Sequence, residues 1–312
     1  MSSGWEVCPR PLKLLGIALA LSASVVLIPV AAASAASETL HEEKSLYRNI
    51  VVKQNRFRRC LVFSSRHADR NQSCMDVRFP ELIVFPYVKM VFAGLLVHPK
   101  PERFLIVGQG GGTIPAAFEK LYPSASIDVV EIDAAVDRMA RQYFGYKEGP
   151  NTTITINDAR VYVRRAALQG KRYDMIVLDA FTGDYIPEHL MTVEFLAETA
   201  ALLTAKGVLV ANTFSSSRLY DHESQTYVKA FGSFFNFRMQ GTLNRVIIAT
   251  QHGYPDREIL QARADALQPK VLAMGVEISR YVKHLTLEAD WDTTRRALTD
   301  QYSPANLLQD SR

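Results

Sequence analysis

From Arg103 onward the apolar positions fall into short runs, each followed by a segment with helical period. RFLIVG (103–108) predicts a strand and TIPAAFEKLY (113–122) a helix, with Pro115 in its first turn, where a missing N–H costs little. The alternation continues through SIDVVEI and AAVDRMARQYF, TITINDA and a short helix to about Leu168, then YDMIVLDA and TVEFLAETAALLT. GVLVANTF follows a turn at Gly207, and a helix near 224–234 leads to FRMQGT and RVIIATQ, read as a closing antiparallel pair. Strands this short and apolar, separated by helices, predict an α/β fold with a mostly parallel sheet covered on both faces. Ahead of it, LYRNIVVKQ, RRCLVFSS and CMDVRF hold no helical period and predict a small antiparallel β domain. PELIVFPYVKMVFAGLLVH (80–98) reads as an apolar helical connector, and the chain after Asp256 as polar helix.

The first residues follow a different pattern. Arg10 and Lys13 precede an apolar, small-residue run from Leu14 to Ala36. That is the order of a secretory signal with cleavage after Ala35 or Ala36, and an uncleaved membrane anchor is the rival reading. Either exports the remainder, because the positive charges lie before the segment and SETLHEEK behind it is mostly acidic. The expected location is therefore periplasmic, or membrane-anchored and facing outward. The expected organisation is a signal or anchor over 1–36, a β domain over 37–79, a Rossmann-like domain over 80–252 and a helical segment over 253–312.

Composition changes this picture little. The 312 residues are 48% hydrophobic and 22% charged with a net charge of +4, a globular chain without the strong basic excess of a nucleic-acid footprint. Of three cysteines, Cys8 lies in the leader, whereas Cys60 and Cys74 flank a polar loop between strand-like runs. An oxidising compartment would allow a disulfide there, worth about 3 kcal/mol for a loop of roughly fifteen residues; two buried thiols are the alternative. No pair has metal-ligand spacing, so no metal is predicted.

Candidate chemistry gathers at strand ends. Gly108, Gly110 and Gly112 stand between the first parallel strand and its helix, where backbone can approach a ligand next to a helix N-terminus. Glu131 ends the next strand, placed to accept hydrogen bonds from ribose hydroxyls. Asp158 and Asp179 end the following two. One such Asp is ordinarily a helix cap, but four adjacent strand ends in this pattern predict a nucleoside pocket with a carboxylate left for chemistry. His189 reads as a structural histidine at a helix start. No strand-turn serine elbow is present, which argues against a hydrolase.

FLIVGQGGG, VVEID, INDA and YDMIVLDA, in this order and spacing, resemble the spermidine synthase (polyamine aminopropyltransferase) family over roughly residues 46–250. The segment DAFTGDYIPEHLMT and the terminal LTDQYSPANLL resemble its divergent spermidine synthase-like branch. The resemblance implies a Rossmann-like, methyltransferase-type sheet preceded by a small antiparallel β domain. It also implies decarboxylated S-adenosylmethionine or S-adenosylmethionine as donor substrate, with no permanently bound cofactor. Carried across, Gly108, Gln109, Gly110 and Gly112 cradle the donor, Glu131 holds the ribose, Asp158 the adenine amino group, and Asp179 is the general base. The family's Tyr-His-Glu aligns with Pro86-Tyr87-Val88, its Gln-Gly-Glu-Ser with Asn212-Thr213-Phe214-Ser215, and the loop Asp that meets the donor's ammonium is here Gly111. Tyr87, Asp184 and Tyr185 are the candidate acceptor-side residues.

The first reading is thus an aminopropyl transferase acting on a small-molecule amine. A methyltransferase using the intact donor, with Gln109 near the donor carboxylate, is the second. An exported, non-catalytic polyamine- or nucleoside-binding protein is the third. No nucleic-acid partner is expected, a membrane partner only through an uncleaved anchor, and a homodimer is an open alternative.

Overall fold

The computed structural model describes residues 1, 37–64, 69–181 and 185–304. The predicted leader and Asp184 lie outside the described residues. Four antiparallel strands open the fold in meander order: β1 (Glu38–Lys44), β2 (Asn49–Asn55), β3 (Arg58–Ser64) and β4 (Asp69–Asp76). β2 and β3 match the sequence pattern, whereas β4 begins at Asp69, inside the stretch read as a polar loop, and ends before the VRF of the expected run. β1 was hidden in the acidic SETLHEEK, whose charges sit on the solvent side of an edge strand. Cys60 and Cys74 are directly paired across β3 and β4 and joined by a disulfide.

Within the connector only Pro86–Val91 (α1) and Gly94–Val97 (α2) are helical. Strands and helices then alternate: β5 (Arg103–Val107), α3 (Thr113–Leu121), β6 (Ser126–Glu131), α4 (Ala134–Tyr143), β7 (Thr152–Ile156) and α5 (Ala159–Leu168). They continue with β8 (Tyr173–Leu178), α6 (Val193–Ala200), β9 (Leu203–Phe214), α7 (Tyr220–Phe231), β10 (Phe234–Arg238) and β11 (Asn244–Thr250). The last elements are α8 (Arg257–Val271) and the two-residue β12 (Leu285–Thr286).

The large sheet has the order β12-β10-β11-β9-β8-β5-β6-β7; β9, β8, β5, β6 and β7 run parallel, and the other three antiparallel. Successive residues of β5 face opposite layers. Phe104 and Ile106 join Phe92 and Phe118 on one face; Leu105 and Val107 join Phe195 and Leu196 on the other. Each fully buried side chain of this kind is worth roughly 2 kcal/mol. The small sheet packs Ile50, Val52 and Leu61 onto Ala135, Val136 and Met139 of α4, beside the ends of β5 and β6.

The C-terminal segment differs from the expected helix. After α8, Gly275 takes φ +75 and ends helical progress; short 3₁₀ turns follow, and β12 adds itself to the large sheet, which therefore extends past residue 252.

Candidate active site

The strand order reverses between β5 and β8, and in open α/β sheets the crevice beyond the carboxyl ends at such a point takes ligands. A cleft with about 1050 Å3 of unfilled space, its open mouth included, lies there. Its walls include Gly108, Gln109, Gly110, Glu131, Asp158 and Asp179 at or just beyond strand ends of the large sheet, Tyr87 of α1, His189 of a 3₁₀ turn, and Arg48, Gln72 and Ser73 from the small β domain.

The glycine turn is built for close approach. Gly108 has φ +96, and a Cβ there would run into the Asp179 backbone carbonyl. Gly110 has φ +53 and lines the cleft. Gly112, at φ +81, does not: a Cβ there would meet the Tyr146 ring at 2.5 Å, so its part is to seat α3 against that ring rather than to touch a ligand. At Gly111 a Cβ would lie 2.6 Å from Ser73 Oγ, which explains structurally why no side chain stands where the family places an acid.

Glu131 is buried. Its Oε2 accepts from the Gln109 backbone N–H and its Oε1 from that of Asp133, each at 3.0 Å. Burial pushes its pKa up, and the two N–H groups and Arg48 offset part of the rise. A carboxylate has about four acceptor positions, so two remain for hydroxyls in the cleft. The Gln109 side-chain NH2 donates to Asp137 at 2.9 Å, while its Oε1 is buried without a partner.

Asp179 receives Asn212 Nδ2 at 2.8 Å and the Tyr87 hydroxyl at 3.2 Å. Asn212 is held by Asn244, whose amide donates to its Oδ1 at 2.9 Å, and Asn244 in turn accepts from Thr242 at 2.9 Å. That chain leaves the Asn212 NH2 facing the carboxylate. Burial pushes Asp179 up to about 7; the two hydrogen bonds oppose the shift and the charge of Glu131 adds to it. Burial and then Asp179 raise the Tyr87 hydroxyl well above its ordinary value, so it stays a donor.

Asp158 is at the cleft but also caps α5, its Oδ1 accepting from Val161 N–H at 2.9 Å, while Oδ2 lies 2.9 Å from His189 Nε2. Burial raises its pKa, yet these contacts hold it below the ordinary carboxyl value. Tyr185 is 43% exposed and is not part of the cleft wall. The cleft instead gains Arg48, which donates to the Phe181 carbonyl at 2.9 Å and lies 4.2 Å from the Phe63 ring centroid. Burial lowers its pKa, with Glu131 and Asp133 acting against the shift. Arg48 and Ser73 had no signal marking them in sequence beyond their type, because they reach the cleft from the small β domain. Asn212 was marked only by its alignment with the family's Gln-Gly-Glu-Ser, and it meets Asp179 from the neighbouring β9. Among the described residues no group of His, Cys, Asp and Glu has a metal-binding arrangement.

The model of the spermine/spermidine synthase domain matches residues 85–250. A polyamine aminopropyltransferase of Vibrio vulnificus is 51% identical over 276 residues, 88% of this chain and 92% of that protein. An N-terminal histidine N-methyltransferase of Emericella nidulans is 42% identical over 151 residues, 46% of this chain and 26% of that much longer protein. A solved structure of a probable spermidine synthase from Corynebacterium glutamicum superposes with TM-score 0.61 at 20% identity, covering 82% of this chain and 98% of that one, a likeness of fold.

Proposed function

Because this chain belongs to the spermine/spermidine synthase family, we propose that it is a transferase moving an aminopropyl group from decarboxylated S-adenosylmethionine to an amine, as in polyamine biosynthesis. The observation that carries the reading is Asp179, a carboxylate at a strand end with a pKa of about 7, aimed by Tyr87 and Asn212 into the cleft of the glycine turn and Glu131.

In this reading Gly108 and Gly110 let the donor lie against the backbone, Glu131 accepts from the ribose hydroxyls, and Asp158 with His189 borders the adenine. The donor's sulfonium is a good leaving group, so the protein's part is alignment and proton handling. Asp179 draws the acceptor as an ammonium and takes a proton from it, and the lone pair so freed attacks the aminopropyl carbon bound to sulfur. The electrons of the breaking C–S bond return to sulfur, releasing methylthioadenosine.

Calorimetric titration with methylthioadenosine, decarboxylated S-adenosylmethionine and S-adenosylmethionine tests this. Tight binding of the first two with much weaker binding of the intact donor is expected. A preference for S-adenosylmethionine would instead favour a methyltransferase, the reading supported by Gly111 in place of the acid and by the likeness to an N-methyltransferase. If none of the three binds, both enzyme readings fail and a non-catalytic binding role is left. We also propose an exported location. The pattern of residues 1–36 supports it, as does the Cys60–Cys74 disulfide, a bond that persists in oxidising compartments.

A further inference from the structure

We propose that one end of the small sheet is a docking surface for an anionic membrane, independent of the transferase reading. The loop between β2 and β3 is Arg56-Phe57, and Arg56 has φ +50, the one non-glycine residue with positive φ among the described residues. In a two-residue hairpin that conformation favours glycine or asparagine. The turn carries an arginine instead, followed by a phenylalanine that is 43% exposed.

A second turn completes the surface. Val77 N–H donates to the Phe57 carbonyl at 2.8 Å, which sets residues 77–79 beside the hairpin tip. The Arg78 guanidinium lies 3.9 Å from the Phe57 ring centroid and 5.4 Å from that of Phe79. Phe79 is 59% exposed and Leu82 38%. Arg56, Arg58 and Arg78 are exposed, and the carboxylate among them is Asp76, which Arg78 grips at 2.6 Å. Nearby, Lys53 is paired with Asp69, Glu81 with Lys120, and Glu38 of β1 stands opposite Gln54 of β2. The tip therefore joins an excess of arginine to solvent-facing aromatic and aliphatic carbon, the chemistry that lies at phospholipid headgroups. Twenty-two positions separate Phe57 from Phe79, so no linear stripe shows it in sequence.

Topology says why a membrane is the partner. β1 begins at Glu38 opposite Gln54, two residues from Arg56. The chain thus enters the sheet at this end directly after the apolar run 14–36, the stretch whose composition suits a bilayer. Tyr47 and Arg48, at the cleft, stand at the other end of the seven-residue β2, about 20 Å away at 3.3 Å per residue, and Ser73 of the cleft wall is three residues up β4 from Asp76, about 10 Å from the tip.

The chain from residue 37 onward holds every hydrophobic core of the described residues within one compact unit and is the form to test. It should cosediment with phosphatidylglycerol–phosphatidylcholine vesicles far more than with phosphatidylcholine alone, and release in high salt. Arg56→Gln with Arg78→Gln should weaken that partitioning about 25-fold, at roughly fivefold per arginine, with methylthioadenosine affinity unchanged. Phe79→Trp, which leaves the hairpin intact, should be quenched by brominated lipid. No binding to anionic vesicles, equal binding by the arginine variant, or an unquenched Trp would each overturn the proposal. So would a dimer that Phe79→Ser dissolves, since the tip would then be a self-contact.

Discussion

At Asp179 one carboxylate faces two opposed demands. A base that takes a proton from an ammonium near neutral pH works best with a pKa close to 7, and burial supplies that shift. The same shift is unfavourable to folding once the group ionises. Its pKa is above the unfolded value, so the folded state binds more proton between about pH 4 and 7, and stability is lost as pH rises through that window. Asp179→Asn should therefore reduce turnover about 10³-fold while methylthioadenosine affinity persists, and should melt higher than the parent at pH 8 but not at pH 4. Wild-type kcat/KM should fall about tenfold per unit below pH 7. Unchanged turnover would remove Asp179 from its role; equal melting at pH 8 would mean that its carboxyl is not strained by burial. The strand-end positions of Gly108, Glu131, Asp158 and Asp179 were legible in sequence because a parallel sheet presents all its carboxyl ends on one edge. Tyr87 was marked only as an acceptor-side candidate and Asn212 only by alignment; that both donate to Asp179 was not legible. Tyr87 precedes the first strand of that sheet, and Asn212 gains its direction only from Asn244 on an antiparallel neighbour.

Between elements, the glycine turn and β4 act as one unit. Ser73 fills the space a side chain at position 111 would need, and its neighbour Cys74 is fixed to β3 by the disulfide. Gly111→Ala should lower stability by about 1–3 kcal/mol through overpacking and weaken donor binding. Ser73→Gly in the same chain should restore much of both, measured by thermal denaturation and by titration with methylthioadenosine. Additive losses in the pair would show that Ser73 does not set the space above the loop. Here the sequence was readable in its periods but not in its margins. The alternating strands and helices from 103 to 200 follow their apolar pattern closely; beyond that, Gly207 lies inside β9 rather than at a turn, and β10 falls at Phe234–Arg238, ahead of the expected FRMQGT. The acid-rich β1 and the irregular stretch after α8 have no period, and only tertiary contact orders them.

The whole molecule closes on itself through Arg160, in the first turn of α5. It is 8% exposed and bidentate to Glu198 of α6 at 3.0 Å and to Asp300 at 2.6 and 2.7 Å, and it also points at the His189 carbonyl at 3.4 Å. Asp300 accepts from Thr192 as well, and Val193 N–H donates to Leu298, so the C-terminal strand of chain is strapped over the turn that carries His189. Nothing local could announce a pairing between positions 140 residues apart. Removing Asp300 leaves the buried guanidinium with Glu198 alone and the Thr192 hydroxyl without its acceptor, which loosens the turn while Arg160 stays paired. Asp300→Ala should therefore move the His189 turn and raise the Kd of methylthioadenosine about tenfold, or 1.4 kcal/mol, with turnover at saturating donor nearly unchanged. Arg296→Ala is the control: it removes the stacking on Tyr302 elsewhere in the same strap and should lower Tm without touching Kd. A loss of stability in both variants with donor affinity intact would make the strap a fastening alone. A selective loss of affinity in Asp300→Ala would place the His189 end of the cleft under the hold of the turn at Asp300.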